Sequence, residues 1–222
     1  MTRLAVVVLI AIAEFASPVA AQERVLVGTQ RLVENGALFL AAAQGYFKVE
    51  GIDLGMTAYE SDRAVAETLA VGTTDFGLAG FTPAAFNAGG KGLIKAIAAQ
   101  AREKRYYEGS ELVASNFGFA KGLRTFADVA NKSVAISALG SASHYQLEQI
   151  ARIKQIAVDR ISVKPMPTLD GIARAVGTNQ VDAAILPARY ARELLAANHA
   201  KLVGWYSEVD EQQLAHCLCP VK

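Results

Sequence analysis

The chain has 222 residues, long enough for one large domain or two small ones around a substantial core. It carries 22 Lys+Arg against 21 Asp+Glu, a formal net charge of +1, which gives no footing for nucleic acid or an acidic surface as partner. Hydrophobic residues make up 52% of it, an excess due to alanine rather than to any second membrane-length run.

The N-terminus reads as a secretory signal peptide over 1–21. Arg3 supplies a positive start, Leu4 to Ala13 an apolar segment, and Pro18-Val19-Ala20-Ala21 a small-residue cleavage site. Arg24 to Gln30 then reads as a strand. Asn35-Gly36 opens a helix through Gln44, with Gly45 as its stop. Ile52 to Ala58 is a second strand, and Ser61-Asp62 caps a helix placing Val65, Ala66 and Leu69 on one face. Gly72 ends that helix. Phe76 to Ala79 is a third strand, followed by Gly80-Phe81-Thr82 and a short helix opened by Pro83. Leu93 to Ala99 is a fourth strand, and Arg102 to Gly109 reads as a surface loop.

After a strand at Glu111 to Ser115 the pattern starts again. Lys132 to Ile136 is a strand, and Ser137 to His144 is a turn of small hydroxyl residues leading into a helix marked by Leu147, Ile150 and Ala151. Ser143 and Gln146 have capping-box spacing. Ile161 to Met166 is a strand, Asp170 to Val176 a helix, Ala183 to Leu186 a strand, and Pro187 begins a helix running to Ala197. Leu202 to Trp205 is the last strand-like run. Short strands alternating with helices predict an α/β fold with mainly parallel sheets, whose ligands sit at the carboxyl ends of the strands. Residues 71–79 and 176–184 form a near-repeat: a helix end, a glycine stop, a polar turn with an aspartate, then a strand. The copies lie about 100 residues apart, the size of a small lobe.

Enzyme signatures are weak. Gly140-Ser141-Ala142-Ser143 lacks the second glycine of a nucleophile elbow. His144, His199 and His216 show no zinc spacing, and no Ser or Thr follows Lys91 in Gly89-Gly90-Lys91-Gly92. Cys217 and Cys219, separated by one residue, are poorly placed for an unstrained disulfide and read as tail residues with no role. No cofactor is expected.

Four stretches carry a resemblance to a known family. They are Ala43-Gln44-Gly45-Tyr46-Phe47-Lys48-Val49-Glu50-Gly51-Ile52-Asp53; the helix and turn from Glu67 to Gly77; Thr125-Phe126-Ala127-Asp128-Val129 with Ser133-Val134-Ala135-Ile136; and Val176-Gly177 with Val181-Asp182-Ala183. Together, over about 24–207, they resemble the periplasmic substrate-binding proteins of ABC importers, in the nitrate/sulfonate/taurine and thiamine-precursor-like group. The resemblance implies a type II periplasmic binding protein fold with two α/β lobes, no chemistry of its own, and a membrane permease as partner of a monomer. Lobe one is expected over 24–112 and lobe two over 113–202. Residues 203–222 are expected to return to lobe one and end in an aberrant or truncated tail, leaving that lobe incomplete.

The resemblance places a small, anionic solute between the lobes. By position, lobe one offers Gln30, Asn35, Gly80, Phe81 and Thr82. Lobe two offers Ser137, Gly140, Ser141, Ala142, Ser143, His144, Thr168, Asp170, Pro187 and Tyr190. Plainer roles compete: core packing for Phe81 and Tyr190, a helix cap for Asp170, and a part-exposed first-turn position for His144. The alternatives to an importer component are an extracytoplasmic sensor of the same fold and, more remotely, a secreted hydrolase using Ser141.

Overall fold

A computed structural model describes residues 22–105, 108–210 and 213–221 of the chain; the predicted signal peptide lies outside them. Ten strands form two five-stranded sheets, each flanked by helices. Among the described residues, no helix is long and apolar enough to cross a membrane.

The first sheet starts with β1 (Glu23–Thr29), which pairs in parallel with β2 (Ile52–Ala58) and β3 (Phe76–Ala79). Between β1 and β2 lie a 3-10 turn (Val33–Asn35), α1 (Gly36–Ala43) and α2 (Tyr46–Val49). Gly45 between the two helices has φ 75°, a left-handed conformation that glycine takes without steric penalty. Helix α3 (Asp62–Ala70) links β2 to β3 and is capped by Ser61, whose hydroxyl accepts from Ala64 N–H. Its Val65, Ala66 and Leu69 are buried. Helix α4 (Pro83–Gly90) follows β3, capped by Thr82, and leads to β4 (Ile94–Arg102).

The second sheet repeats the plan. β6 (Ser133–Ile136) pairs in parallel with β7 (Ser162–Pro165) and β8 (Ala183–Pro187). Helix α6 (Ala142–Ile153) joins β6 to β7 and α7 (Leu169–Gly177) joins β7 to β8, while α8 (Ala188–Ala196) precedes β9 (Ala200–Trp205). β5 (Ser110–Ser115) lies between β8 and β9, antiparallel to both, and a short helix α5 (Asn116–Ala120) follows it.

The strand memberships differ from the expected lobe boundaries. β5 belongs wholly to the second sheet, so the first crossing falls between Arg102 and Ser110 rather than at 112. β9 pairs with β5 and stays in the second sheet; Leu202 to Trp205 is not the return. The return is β10 (Gln213–Pro220), which runs antiparallel between β3 and β4. Residues expected as an aberrant tail thus form an interior strand, and both sheets reach five strands. Leu218 is buried in the first core, while the free thiols Cys217 and Cys219 are half-buried. With a period of two, the cysteines share the face opposite Leu218. The reason for the difference is physical: strand propensity is local, whereas sheet membership depends on partners most of the chain away.

The near-repeat marks a true equivalence. The Asp75 carboxylate accepts from Leu26 N–H in β1 at 2.8 Å, and Asp75 N–H donates to Leu26 O. The Asp182 carboxylate accepts from Ser133 N–H in β6 at 2.8 Å and from its hydroxyl at 2.7 Å, and Asp182 N–H donates to Ser133 O. In each lobe the aspartate before the third strand ties it to the first. Asn131, just before β6, has φ 61°, a left-handed position that asparagine tolerates.

Candidate binding cleft

The carboxyl ends of the parallel strands in both lobes open on one cleft, formed by cavities that share walls around Leu32. The innermost encloses about 60 Å³. Lobe one contributes Gln30 just past β1, Glu34 from the 3-10 turn, and Glu60, Ser61 and Asp62 from the loop into α3. Lobe two contributes Ser137, Ala142 and Ser143 of the serine turn, Gln146, Leu169 and Pro187. A chamber of about 380 Å³ adjoins it through Gln30, Leu32, Glu60 and Leu169, and adds Arg31, Tyr59, Asp170, Arg189 and Tyr190. A third of about 420 Å³ lies beside Glu34, Glu108, Arg189 and Arg192. The larger two have the volume of small-molecule sites.

The serine turn is built by its own hydrogen bonds. Ser141 caps α6, its hydroxyl accepting from His144 N–H at 3.3 Å. Ser143 Oγ accepts from Ser137 N–H at 3.1 Å and lies 3.0 Å from Ser141 Oγ. Gly140 has φ 76°, and its N–H donates to His144 Nδ1. A Cβ at Gly140 would come within 4.0 Å of Pro83 Cβ, so the two lobes nearly meet here. The amides of Ala142 and Ser143, in the first turn of α6, lie beyond the reach of any intrahelical carbonyl, and both residues line the cleft. Such a helix end attracts negative charge.

The facing wall is acidic. Asp62 Oδ1 accepts from Gly80 N–H at 2.9 Å, yet burial pushes its carboxyl up to about 6. Burial, helped by the neighbouring Asp62 charge, pushes Glu34 up to about 7. Glu103, read from sequence as part of a surface loop, is fully buried, and that burial pushes it up to about 7. Its Oε1 accepts from Ser110 N–H at 3.1 Å. Among the described residues, no Lys, Arg or His lines the innermost chamber. Among the described residues, no group of three or more His, Cys, Asp or Glu is placed to hold a metal ion.

Of the residues predicted from sequence, Gln30, Ser137, Ala142, Ser143 and Pro187 line the inner chamber, and Asp170 and Tyr190 the adjoining one. The others stand behind or away from the wall. Asn35 is buried and donates from Nδ2 to Gln30 O at 3.0 Å. Gly80 serves Asp62. Thr82 is buried as the cap of α4. Phe81 stacks on His216 of β10, ring centroids 3.6 Å apart, and with Phe86 lines a separate apolar pocket on lobe one. Gly140, Ser141 and His144 shape the turn rather than its surface; the His144 ring is held between Gly140 N–H and Glu148, with Nε2 at 3.6 Å from the latter. Thr168, not Asp170, caps α7, accepting from Gly171 N–H. Likewise the cap of α6 is Ser141 rather than Ser143, two residues earlier than the capping-box spacing suggests. Ser141 Oγ has Ser143 Oγ and His144 N–H as partners, neither of them a general base, which leaves no support for a nucleophilic role.

Sequence reasoning missed Arg31, Glu34, Glu60, Asp62, Gln146 and Arg189. The usable signal was position: Arg31 and Glu34 directly follow the β1 end already marked by Gln30, and Glu60 follows β2.

This architecture, two α/β lobes with a cleft at their strand ends, is the type II periplasmic binding protein fold. The NMT1/THI5-like family profile matches residues 33–217, and the chain belongs to that family. Among solved structures it is similar to the periplasmic aliphatic sulphonate binding protein SsuA from Escherichia coli, at 18% identity and TM-score 0.71, over 89% of this chain and 65% of that one. It is also similar to the alkanesulfonate-binding protein SsuA from Xanthomonas axonopodis pv. citri bound to MOPS, at 18% identity and TM-score 0.74, over 90% and 66%. Holo ArgBP from T. maritima matches at 17% identity and TM-score 0.62, over 89% and 82%. The chain therefore spans just under two thirds of the length of the two sulfonate-binding proteins. These structures are of binding proteins, not enzymes. No curated protein matches the chain in sequence.

Proposed function

We propose that the chain is the solute-binding component of an ABC importer, exported to the periplasm by residues 1–21 and acting as a monomer. Its lobes close on a small organic anion (sulfonate, carboxylate or nitrate-like) and the closed form docks on an inner-membrane permease. The observation that carries this reading is the cleft itself. It lies at the strand ends of both lobes, with the first-turn amides of α6 on one wall and Arg31 and Arg189 in the adjoining chamber. Backbone donors and guanidinium groups together suit an oxyanion.

A thermal-shift screen of the purified chain against sulfonates, carboxylates and nitrate tests binding. At least one is expected to raise the melting temperature, and Arg189→Ala to weaken that effect. If uncharged compounds alone shift the melt, the anion assignment is wrong. Uptake of the identified solute by cells with and without the protein then tests the transport role, which equal uptake would rule out.

A further inference from the structure

We infer that Glu103 is the clasp of the interlobe hinge. It fastens the two chain crossings to one another and positions Ser110 in the cleft, so solute affinity depends on a residue that lines none of the cleft's chambers. This deepens the proposed solute-binding function and rests on it.

The chain passes between the lobes twice, from β4 to β5 and from β9 to β10. Glu103 directly follows β4 on the first crossing and is 0% exposed. Its Oε1 accepts at 3.1 Å from the N–H of Ser110, the first residue of β5 in lobe two. Its carboxylate also accepts from the N–H groups of Gly109, on the same crossing, and of Ser207, on the second. Both of those partners are fixed to lobe two. Gly109 O accepts from Ala188 N–H of α8 at 2.9 Å, and Ser207 is buried directly after Tyr206, a member of the lobe-two core. One side chain at the end of lobe one thus gathers donors from both crossings. Hydrogen bonds to an ionised carboxylate are roughly twice as strong as neutral ones.

The same node reaches the cleft. Ser110 lines the inner chamber, and its hydroxyl accepts from Gln146 Nε2 of α6 at 3.0 Å; Gln146 lines the chamber too. The charge of Glu34, on the acidic wall, is also felt at Glu103. Closing on a solute turns lobe one against lobe two about the crossings. Crossings fastened together turn as one. Unfastened, each must be ordered at the moment of binding, and that ordering is subtracted from the affinity.

The test compares the purified full chain with Glu103→Gln, which keeps the shape of the side chain but places an amide NH2 among N–H donors. Titration with methanesulfonate, MOPS, acetate, benzoate and nitrate is monitored by calorimetry and by the emission of Trp205, the only tryptophan in the sequence, which ends β9 where the second crossing begins. With its cooperative melt retained, Glu103→Gln is expected to bind about tenfold more weakly, the scale of one hydrogen bond to a charged group, and to need correspondingly more probe for the same Trp205 response. Hydrogen exchange of the unsubstituted chain is a second measurement: a bound probe should slow the amides of Gly109, Ser110 and Ser207 together. Unchanged affinity in a folded Glu103→Gln, or amides that respond independently, overturns the clasp and leaves the solute-binding function standing. If none of the probes binds the unsubstituted chain, the clasp and the proposed anion binding fall together.

Discussion

The two sheets share one plan but bury their faces differently. In lobe two both faces are covered. Leu112, Val134, Ile136 and Ile185 pack on Leu147 and Ile150 of α6, while Val113, Ala135, Ala184 and Leu186 on the other face pack on Ile172 and Val176 of α7 and Leu194 of α8. In lobe one, among the described residues, one cluster joins Ala79, Ile94 and Leu218 to α3 and α4. Its other face keeps Met56 and Ile97 exposed, and α1, apolar over nearly its whole length, buries none of its residues. Since burial of apolar area is the main stabilising term, the same topology gives a firmer lobe two and a looser lobe one. The looser lobe also carries the acidic wall of the cleft.

The largest test of this contrast is Leu218→Asp. It puts an unpaired carboxylate into the single core of lobe one, at a cost of about 3 kcal/mol or more. Hydrogen exchange should show β3 and β4 losing protection while β6 and β8 keep theirs. Equal loss in both lobes would mean that they unfold as one unit.

The paired aspartates come next. Asp182→Ala strips Ser133 of an acceptor for both its N–H and its hydroxyl and should destabilise by about 1–3 kcal/mol. Asp75→Ala removes one bond in an exposed setting and should cost less. Equal melting temperatures in the two variants would show that lobe two draws nothing from its double contact.

A pH series reads the buried carboxyls; Glu111 on β5 of lobe two, pushed up by burial to about 7, adds to the same fall as those of the cleft wall. Glu34, Asp62 and Glu103 have folded values raised by burial to about 7, 6 and 7, above those of an unfolded chain. A raised carboxyl contributes stability that is complete below its unfolded value and lost as pH rises through its folded value. The ligand-free melting temperature should therefore fall between pH 5 and pH 8, and Glu34→Gln should flatten the fall. A profile rising with pH over that range would contradict the acidic-wall account.

The smallest effect expected is that of Ser141→Ala, which removes the cap of α6 at a cost of about 1 kcal/mol, measured by denaturant melts. A much larger loss would make the serine turn a structural keystone rather than a cap.

The elements were legible because their signals are local. Apolar spacing places α3 and α6, Pro83 and Gly72 punctuate correctly, and the aspartate turns at 75 and 182 expose the repeat. Sheet membership was not legible. β5, β9 and β10 are chosen by antiparallel partners far along the chain, and a run containing His216, two cysteines and Pro220 does not look like an interior strand. The cleft was half legible. Gln30 and the serine turn follow from strand-end position, whereas Glu34 carries no local signal and Asp62 reads as a helix cap, and only their burial reveals them.

The placement of β10 also sets an order of assembly. In lobe one β4 touches its sheet only through β10, because β3 and β4 do not pair. The strands and core of lobe two lie between Ser110 and Val209, whereas the sheet of lobe one is joined up only by β10. During synthesis β4 stays an unpaired edge until residues 213–220 arrive, and the loop they close spans the whole of lobe two. Lobe two can therefore complete its sheet before residues 213–220 are made, whereas lobe one cannot.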